Sequence, residues 1–235
     1  MKRFYKEVSV AKLEGENGDG WQVTLDGRGI KTVKGSAQVV PSEPLARALA
    51  AEWDAQGDKI DPATLPLRDM TDYAIDIVTP DPAAVADKLL SYGDTDTLLY
   101  RADPDEPLYA RQQEVWEPIT AAFEAKHCVE LVRVSGIIHR SQSEESMTKL
   151  RGVLGSQDAF ALAGMEAMVS LAASLVIGLE ACDPEADALT LWQAASLEEE
   201  WQADLWGRDE EAEERRAKRE ADFLRASEFV QLSRQ

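Results

Sequence analysis

A chain of 235 residues can build one large domain or two smaller ones with a sizeable core. With 44% hydrophobic and 29% charged residues its composition is globular, which excludes a disordered chain. The 44 acidic residues outnumber 25 basic ones and leave a net charge of −19, a field that repels phosphate backbones and anionic lipid. Nucleic acid and membrane are therefore not expected as partners. A basic protein surface fits better, although net acidity also serves plain solubility.

The opening MKRFYKEV carries no apolar signal core and no Arg/Ser-rich transit segment. Cys128 and Cys182 have no CxxC spacing, which points to a reducing compartment and away from a disulfide framework or a zinc site. The first forty residues read as strands. Val8 and Val10 alternate with polar neighbours, as do Trp21, Val23 and Leu25. Asp26-Gly27 marks a hairpin turn, and Gly15, Gly18 and Gly20 punctuate another loop. At Ser42 the period changes. Ser42 is an N-cap, Pro44 lies in the first turn, and Leu45, Leu49 and Trp53 follow at helical spacing.

Beyond that point the chain is mostly helical, with helices expected over 67–78, 82–92, 108–126, 144–154, 158–179, 185–206 and 209–232. A short strand is expected over 129–134, and 98–100 reads as extended. The stretch from Ala159 to Ala181 is membrane-like in hydropathy but carries Glu166 and Glu180, so it reads as a core helix. The predicted fold class is α+β: a small β-rich N-terminal domain, residues 1–41, followed by a larger mostly α-helical domain, residues 42–235. The run EEAEERRAKRE in the last helix pairs Glu with Arg or Lys three or four residues apart, the pattern of a solvated face.

Catalytic signatures are scarce. There is no GxGxxG, GxxxxGK[ST], HExxH or GxSxG, and His127 and His139 are the two histidines. His127 and Cys128, if on a strand, face opposite sides and form no catalytic pair. The one enzyme-like feature is Asp94-Thr95-Asp96, with Asp103, Asp105 and Glu106 behind it. A D-x-D pair can hold a divalent cation, and acidic loops beside Pro104 and Pro107 equally form solvated turns and helix caps.

The most informative segment runs from Ala188 to Trp206. Turned at 100° per residue, it places Leu189, Trp192, Ala195, Ser196, Ala203 and Trp206 on one face with Glu199 in the middle. Glu198 lies beside that face, and Trp201 lies opposite with Leu197. A carboxylate in an aromatic stripe needs a partner if buried. Glu199 has three readings: paired with an internal Arg or backbone donor, the acid of a Ser196-x-x-Glu199 capping box, or a contact for another protein.

Arg3-Phe4-Tyr5, LDGRGIKT over 25–32, AEWDAQ over 51–56 and Leu65-Pro66-Leu67 carry a resemblance that continues through YGDTDTLLYRA, Gln113 with Trp116, and LEEEWQADLWGRDEEA over 197–212. Spanning nearly the whole chain, these runs resemble the ATP synthase assembly chaperones that bind the alpha subunit of the catalytic sector. The resemblance implies a two-domain fold with no catalytic activity, no nucleotide or metal cofactor and no small-molecule substrate. It implies a holder of free alpha subunit, covering surface that would otherwise aggregate until a beta subunit replaces it. The family's functional weight lies on the C-terminal acidic pair, occupied here by Glu198 and Glu199. Gln202, Trp192, Trp206, Gly207 and Asp209 around it complete the expected partner-binding set.

Two features depart from the family pattern. The family's Arg-Pro-Val-Lys-Thr-Pro turn reads Arg28-Gly29-Ile30-Lys31-Thr32-Val33, losing both prolines, and the first acid is Glu rather than Asp. Relatives occur in mitochondria and bacteria, so a start without a presequence points to a bacterial cytoplasm. Two alternatives from other classes are a metal-dependent enzyme using Asp94 and Asp96, and a permanent adaptor subunit.

Overall fold

The computed structural model describes residues 1–14, 19–136 and 138–235. Gly15 and Gly18 of the expected glycine loop lie outside the described residues, and Gly20 opens a strand. The architecture is α+β, with a small N-terminal sheet followed by helices. The chain divides into two compact units: Met1–Pro82 with Asp158–Gly164 and Glu228–Gln235, and Ala83–Gln157 with Met165–Ser227. The expected division after residue 41 marks the point where strand gives way to helix.

In the first unit β1 (Val8–Leu13) and β2 (Gly20–Leu25) pair antiparallel, with Val10 opposite Val23. Asp26 and Gly27 have φ of 50° and 75°, the two positive values a two-residue hairpin needs, and they return the chain into β3 (Arg28–Gly29). β4 (Val39–Val40) pairs with the other end of β2. Helix α1 (Glu43–Asp54) packs on β1 and β2 through Leu45, Leu49 and Trp53. Ser42 caps it, accepting the Leu45 N–H at 3.2 Å while its hydroxyl donates to the Leu232 carbonyl. Helix α2 (Pro66–Tyr73) continues through a π turn over Ala74–Val78, so the expected 67–78 helix forms with one wide turn.

The second unit contains α4 (Pro107–His127), α5 (Glu144–Gly155), α7 (Leu175–Glu180), α8 (Ala188–Ala195) and α9 (Leu197–Trp206). Most of α3 (Pro82–Ser91), α6 (Ala159–Ala172) and α10 (Glu210–Ser233) also belongs to it. Three sequence expectations change here. The expected strand over 129–134 shrinks to β6 (Val134–Ser135), parallel to β5 (Tyr100–Arg101). The amides of Glu130, Leu131 and Val132 donate instead to Ser146, Glu124 and Gln142 side chains, which leaves no ladder to extend. Residues 97–99 form a 3₁₀ turn, and only Tyr100–Arg101 is extended. His127 ends α4 and Cys128 is its left-handed C-cap, so the pair does not sit on a strand.

The expected 158–179 helix breaks at Ala173, φ 48°, and restarts at α7 with Ser174 as N-cap. The anchor is Asp96, which is fully buried. Its Oδ1 accepts from Leu98 N at 3.0 Å and Ser174 Oγ at 2.7 Å, and its Oδ2 from Val176 N at 2.9 Å. Asp94 accepts the Gln142 amide at 2.9 Å. The D-x-D pair is thus spent on tying loops and helix starts together. Among the described residues no group of three or more His, Cys, Asp or Glu side chains is placed to hold a metal ion, and no helix is long and apolar enough to cross a membrane.

Candidate functional site

The single helix expected over 185–206 is two helices. Ser196, with ψ near 4°, ends α8 and starts α9, and its side chain makes no capping hydrogen bond. The break changes every azimuth beyond it. Trp192 and Trp206, which share a stripe on one continuous helix, part company: Trp192 is 3% exposed and Trp206 82%. Trp192 packs against Phe223 of α10, ring centroids 5.3 Å apart, in the interior.

Arg219 on α10 links the buried and exposed parts. Its Nη1 donates to Glu199 Oε1 at 2.6 Å, its Nη2 to the Leu171 carbonyl at 2.9 Å, and its guanidinium lies 5.4 Å from the Trp192 ring centroid. Of the three readings of Glu199, pairing with an internal Arg describes the free chain, and the capping box does not form. The carboxylate is still 46% exposed, so pairing leaves a face open.

Glu198 points the other way, partly buried. Gln112 of α4, fully buried, donates Nε2 to Glu198 Oε1 at 2.6 Å and accepts the Ala102 amide at 2.8 Å. Burial raises the Glu198 pKa, and the Gln112 hydrogen bond opposes that rise. Trp116 Nε1 donates to the Ala194 carbonyl at 2.7 Å, fixing the end of α8 to α4. Gln202 Oε1 accepts from Trp206 Nε1 at 2.8 Å, holding an exposed indole in one orientation. Gly207, φ 98° and ψ 155°, closes α9 in a region open only to glycine. Asp209 accepts the Ala212 amide at 3.0 Å and starts α10. Arg208 joins Glu200, Asp204 and Glu213 across the α9–α10 corner.

These residues edge a groove of about 1260 Å³, open to solvent, between α9, the start of α10 and the turn that precedes α4. Leu108, Ala203 and Trp206 supply its apolar surface, Asp103, Glu106, Glu198, Glu199 and Asp209 its acids, and Arg215, Arg216 and Arg219 line the α10 side. The arginines are engaged: Arg215 with Glu211, Arg216 with Glu213, Arg219 with Glu199. Six of the seven expected site residues line this groove, and Trp192 supports it from below. Gln112 and Arg219 are absent from the sequence reading. Arg219 lies in a run that satisfies helix-surface pairing by itself, so its tie to Glu199 twenty residues away leaves no local signal.

The model for the ATP12 chaperone protein family matches residues 2–124. Protein atp12, mitochondrial, of Schizosaccharomyces pombe is 29% identical over 226 residues, covering 91% of this chain and 76% of the relative. The crystal structure of Atp12 from Paracoccus denitrificans aligns with a TM-score of 0.91 at 38% identity, over 99% of this chain and 98% of its own. The Atu1473 protein from Agrobacterium tumefaciens aligns at 0.92 and 35% identity, over 100% and 86%. A fold and a sequence shared to this extent define the class, a chaperone for ATP synthase assembly. The chain belongs to the ATP12 chaperone protein family.

Proposed function

We propose that this protein holds the free alpha subunit of the catalytic sector of proton-translocating ATP synthase, preventing its aggregation until a beta subunit replaces the chaperone. The observation that carries the reading is Trp206, 82% exposed and hydrogen-bonded into one orientation, beside the half-exposed Glu199 on the rim of the groove. An unassembled subunit exposes apolar surface, and its holder needs an apolar patch with a charged rim. Glu198, Glu199, Gln202, Trp206, Gly207 and Asp209 form the proposed contact, and Trp192 is its buried support. A bacterial cytoplasm is the proposed location. The net charge of −19 steers basic partner surfaces, so added salt slows association at ionic strengths near ~0.15 M and above.

The direct test is co-purification with alpha subunit in the absence of beta. Soluble alpha that appears only when this protein is present supports the reading. In a deletion strain alpha is expected to be made but insoluble, and normal levels of assembled enzyme would overturn the proposal. Presence of the protein in finished ATP synthase on size exclusion would instead mark a permanent subunit.

The two tryptophans separate contact from core. Trp206→Ala is expected to weaken alpha binding by ~2 kcal/mol, about 30-fold, with an unchanged melting temperature. Trp192→Ala is expected to destabilise the fold by ~3–5 kcal/mol, because its ring is enclosed. Parallel binding isotherms and thermal melts check both. A Trp206 variant that melts early but binds normally places the contact elsewhere.

A further inference from the structure

The first unit carries a second pocket of about 450 Å³, unlike the groove in charge. Its aromatic side is a chain of rings. Phe4, 63% exposed, stands edge-on to Tyr5 at 5.3 Å, and Tyr5 stands edge-on to Trp53 at 5.8 Å. Its other side is basic, formed by Arg28 and Lys31 just beyond the Asp26-Gly27 turn and by Arg68 of α2. Asp26 is the acid of the lining, and its Oδ1 accepts the amides of Lys6 and Glu7 at 3.0 and 2.9 Å. Arg68 is partly engaged by Asp69 and Asp72. Arg28 and Lys31 are exposed, and no hydrogen bond or ion pair engages either side chain among the described residues. Asp26 acts on Arg28 through space without bonding it, so in a chain with 44 acids Arg28 and Lys31 keep a locally basic patch on this side of the pocket. Trp53, 9% exposed, adds an unmet demand, since its Nε1 donor is buried without an acceptor.

We propose that this pocket is a second peptide-recognition site, which takes an acidic segment of a partner polypeptide. A carboxylate side chain of the segment pairs with Arg28 and Lys31, and an apolar neighbour lies against Phe4 and Tyr5. The cavity is large enough for two such side chains and too small for a folded surface. Phe4 leaves one side open for the chain to enter and leave. The site goes beyond the alpha-subunit reading and uses none of the groove residues.

The test is fluorescence polarisation with a labelled eight-residue peptide of alternating Glu and Leu, and with its Lys-Leu counterpart. Salt near ~0.15 M screens the remainder of the acidic chain. The full-length protein is expected to bind the acidic peptide and not the basic one. R28E/K31E is expected to weaken that binding at least tenfold while the melting temperature holds. Phe4→Ala serves as a neutral second variant, expected to weaken it severalfold. Glu199→Lys, which tests the other site, is expected to leave peptide binding unchanged, so failure of one proposal is distinguishable from failure of the other. Equal binding by R28E/K31E and the unmodified protein would overturn the proposal. So would full competition by millimolar free glutamate, which would make the ligand a small carboxylate. Self-association in sedimentation that R28E/K31E abolishes would also overturn it, because the occupant would be a second copy.

Discussion

Glu199→Lys is expected to abolish binding of alpha subunit with little effect on stability. The Glu199–Arg219 pair sits at the surface, 46% and 40% exposed, where an ion pair contributes ~0–1 kcal/mol. The reversed side chain has solvent to turn into, and Arg219 keeps the Leu171 carbonyl and the Trp192 ring as anchors. At an interface the same change replaces attraction by repulsion in a partly desolvated setting, a loss of ~2–4 kcal/mol, or about 30- to 1000-fold in affinity. Isothermal titration with purified alpha, alongside a thermal melt, reads the two effects separately. A variant that loses several kcal/mol of stability would show that the carboxylate holds α9 to α10, and the contact reading would fail.

Asp96→Ala is expected to cause a large loss of stability, about 3–5 kcal/mol. It strips the acceptor from two backbone amides and from the Ser174 hydroxyl, all buried, and so removes support for the N-cap of α7. The same residue imposes a pH dependence. Complete burial is the dominant effect and raises the Asp96 pKa from 3.8 to about 6, while the surrounding donors pull it down. Between those two values the folded chain binds the proton and the unfolded chain has released it. Stability contributed by Asp96 is therefore full below about pH 4, falls as pH rises through about 6, and is flat above. The change is on the order of 3 kcal/mol over that window. Asp96→Asn removes the titration, so the advantage of the unmodified protein over this variant should shrink from pH 4 to pH 6. Urea denaturation of both proteins across that range measures it, and carboxylates common to both cancel in the difference. An advantage that grows with pH would show that the carboxylate is bound as an anion with a lowered pKa.

Local rules account for a large part of the fold. The Asp26-Gly27 turn follows from the positive φ that its two positions require, and the Ser42 cap from an oxygen within reach of the third amide beyond it. Helices over 107–127 and 210–233 match their sequence patterns to within two residues, since their amphipathic or charge-paired runs are long. Three acids of the groove, Glu198, Glu199 and Asp209, were also legible from the resemblance, and Glu199 from the anomaly of a carboxylate in an aromatic stripe as well.

The two helix breaks were not legible. At both Ala173 and Ser196 the apolar spacing runs through without a proline or glycine at the break, although α6 and α7 are buried on both sides of Ala173 while α9 beyond Ser196 buries only Leu197 and Ala203. What stops α6 is a left-handed residue followed by a cap that Asp96 holds from 78 positions away, and no window of local sequence contains both partners. At Ser196 the consequence reaches the site. Periodicity put Trp192 and Trp206 in one stripe around Glu199, whereas the structure buries one ring under Arg219 and sends the other into solvent. Sequence by itself determined the α+β class, the family and six of the residues that edge the groove, because composition, short-range sterics and long shared runs are properties of the chain as written. Only tertiary structure decided which tryptophan is exposed, what holds Glu199 and that Asp96 faces inward, because each depends on groups that folding alone brings together.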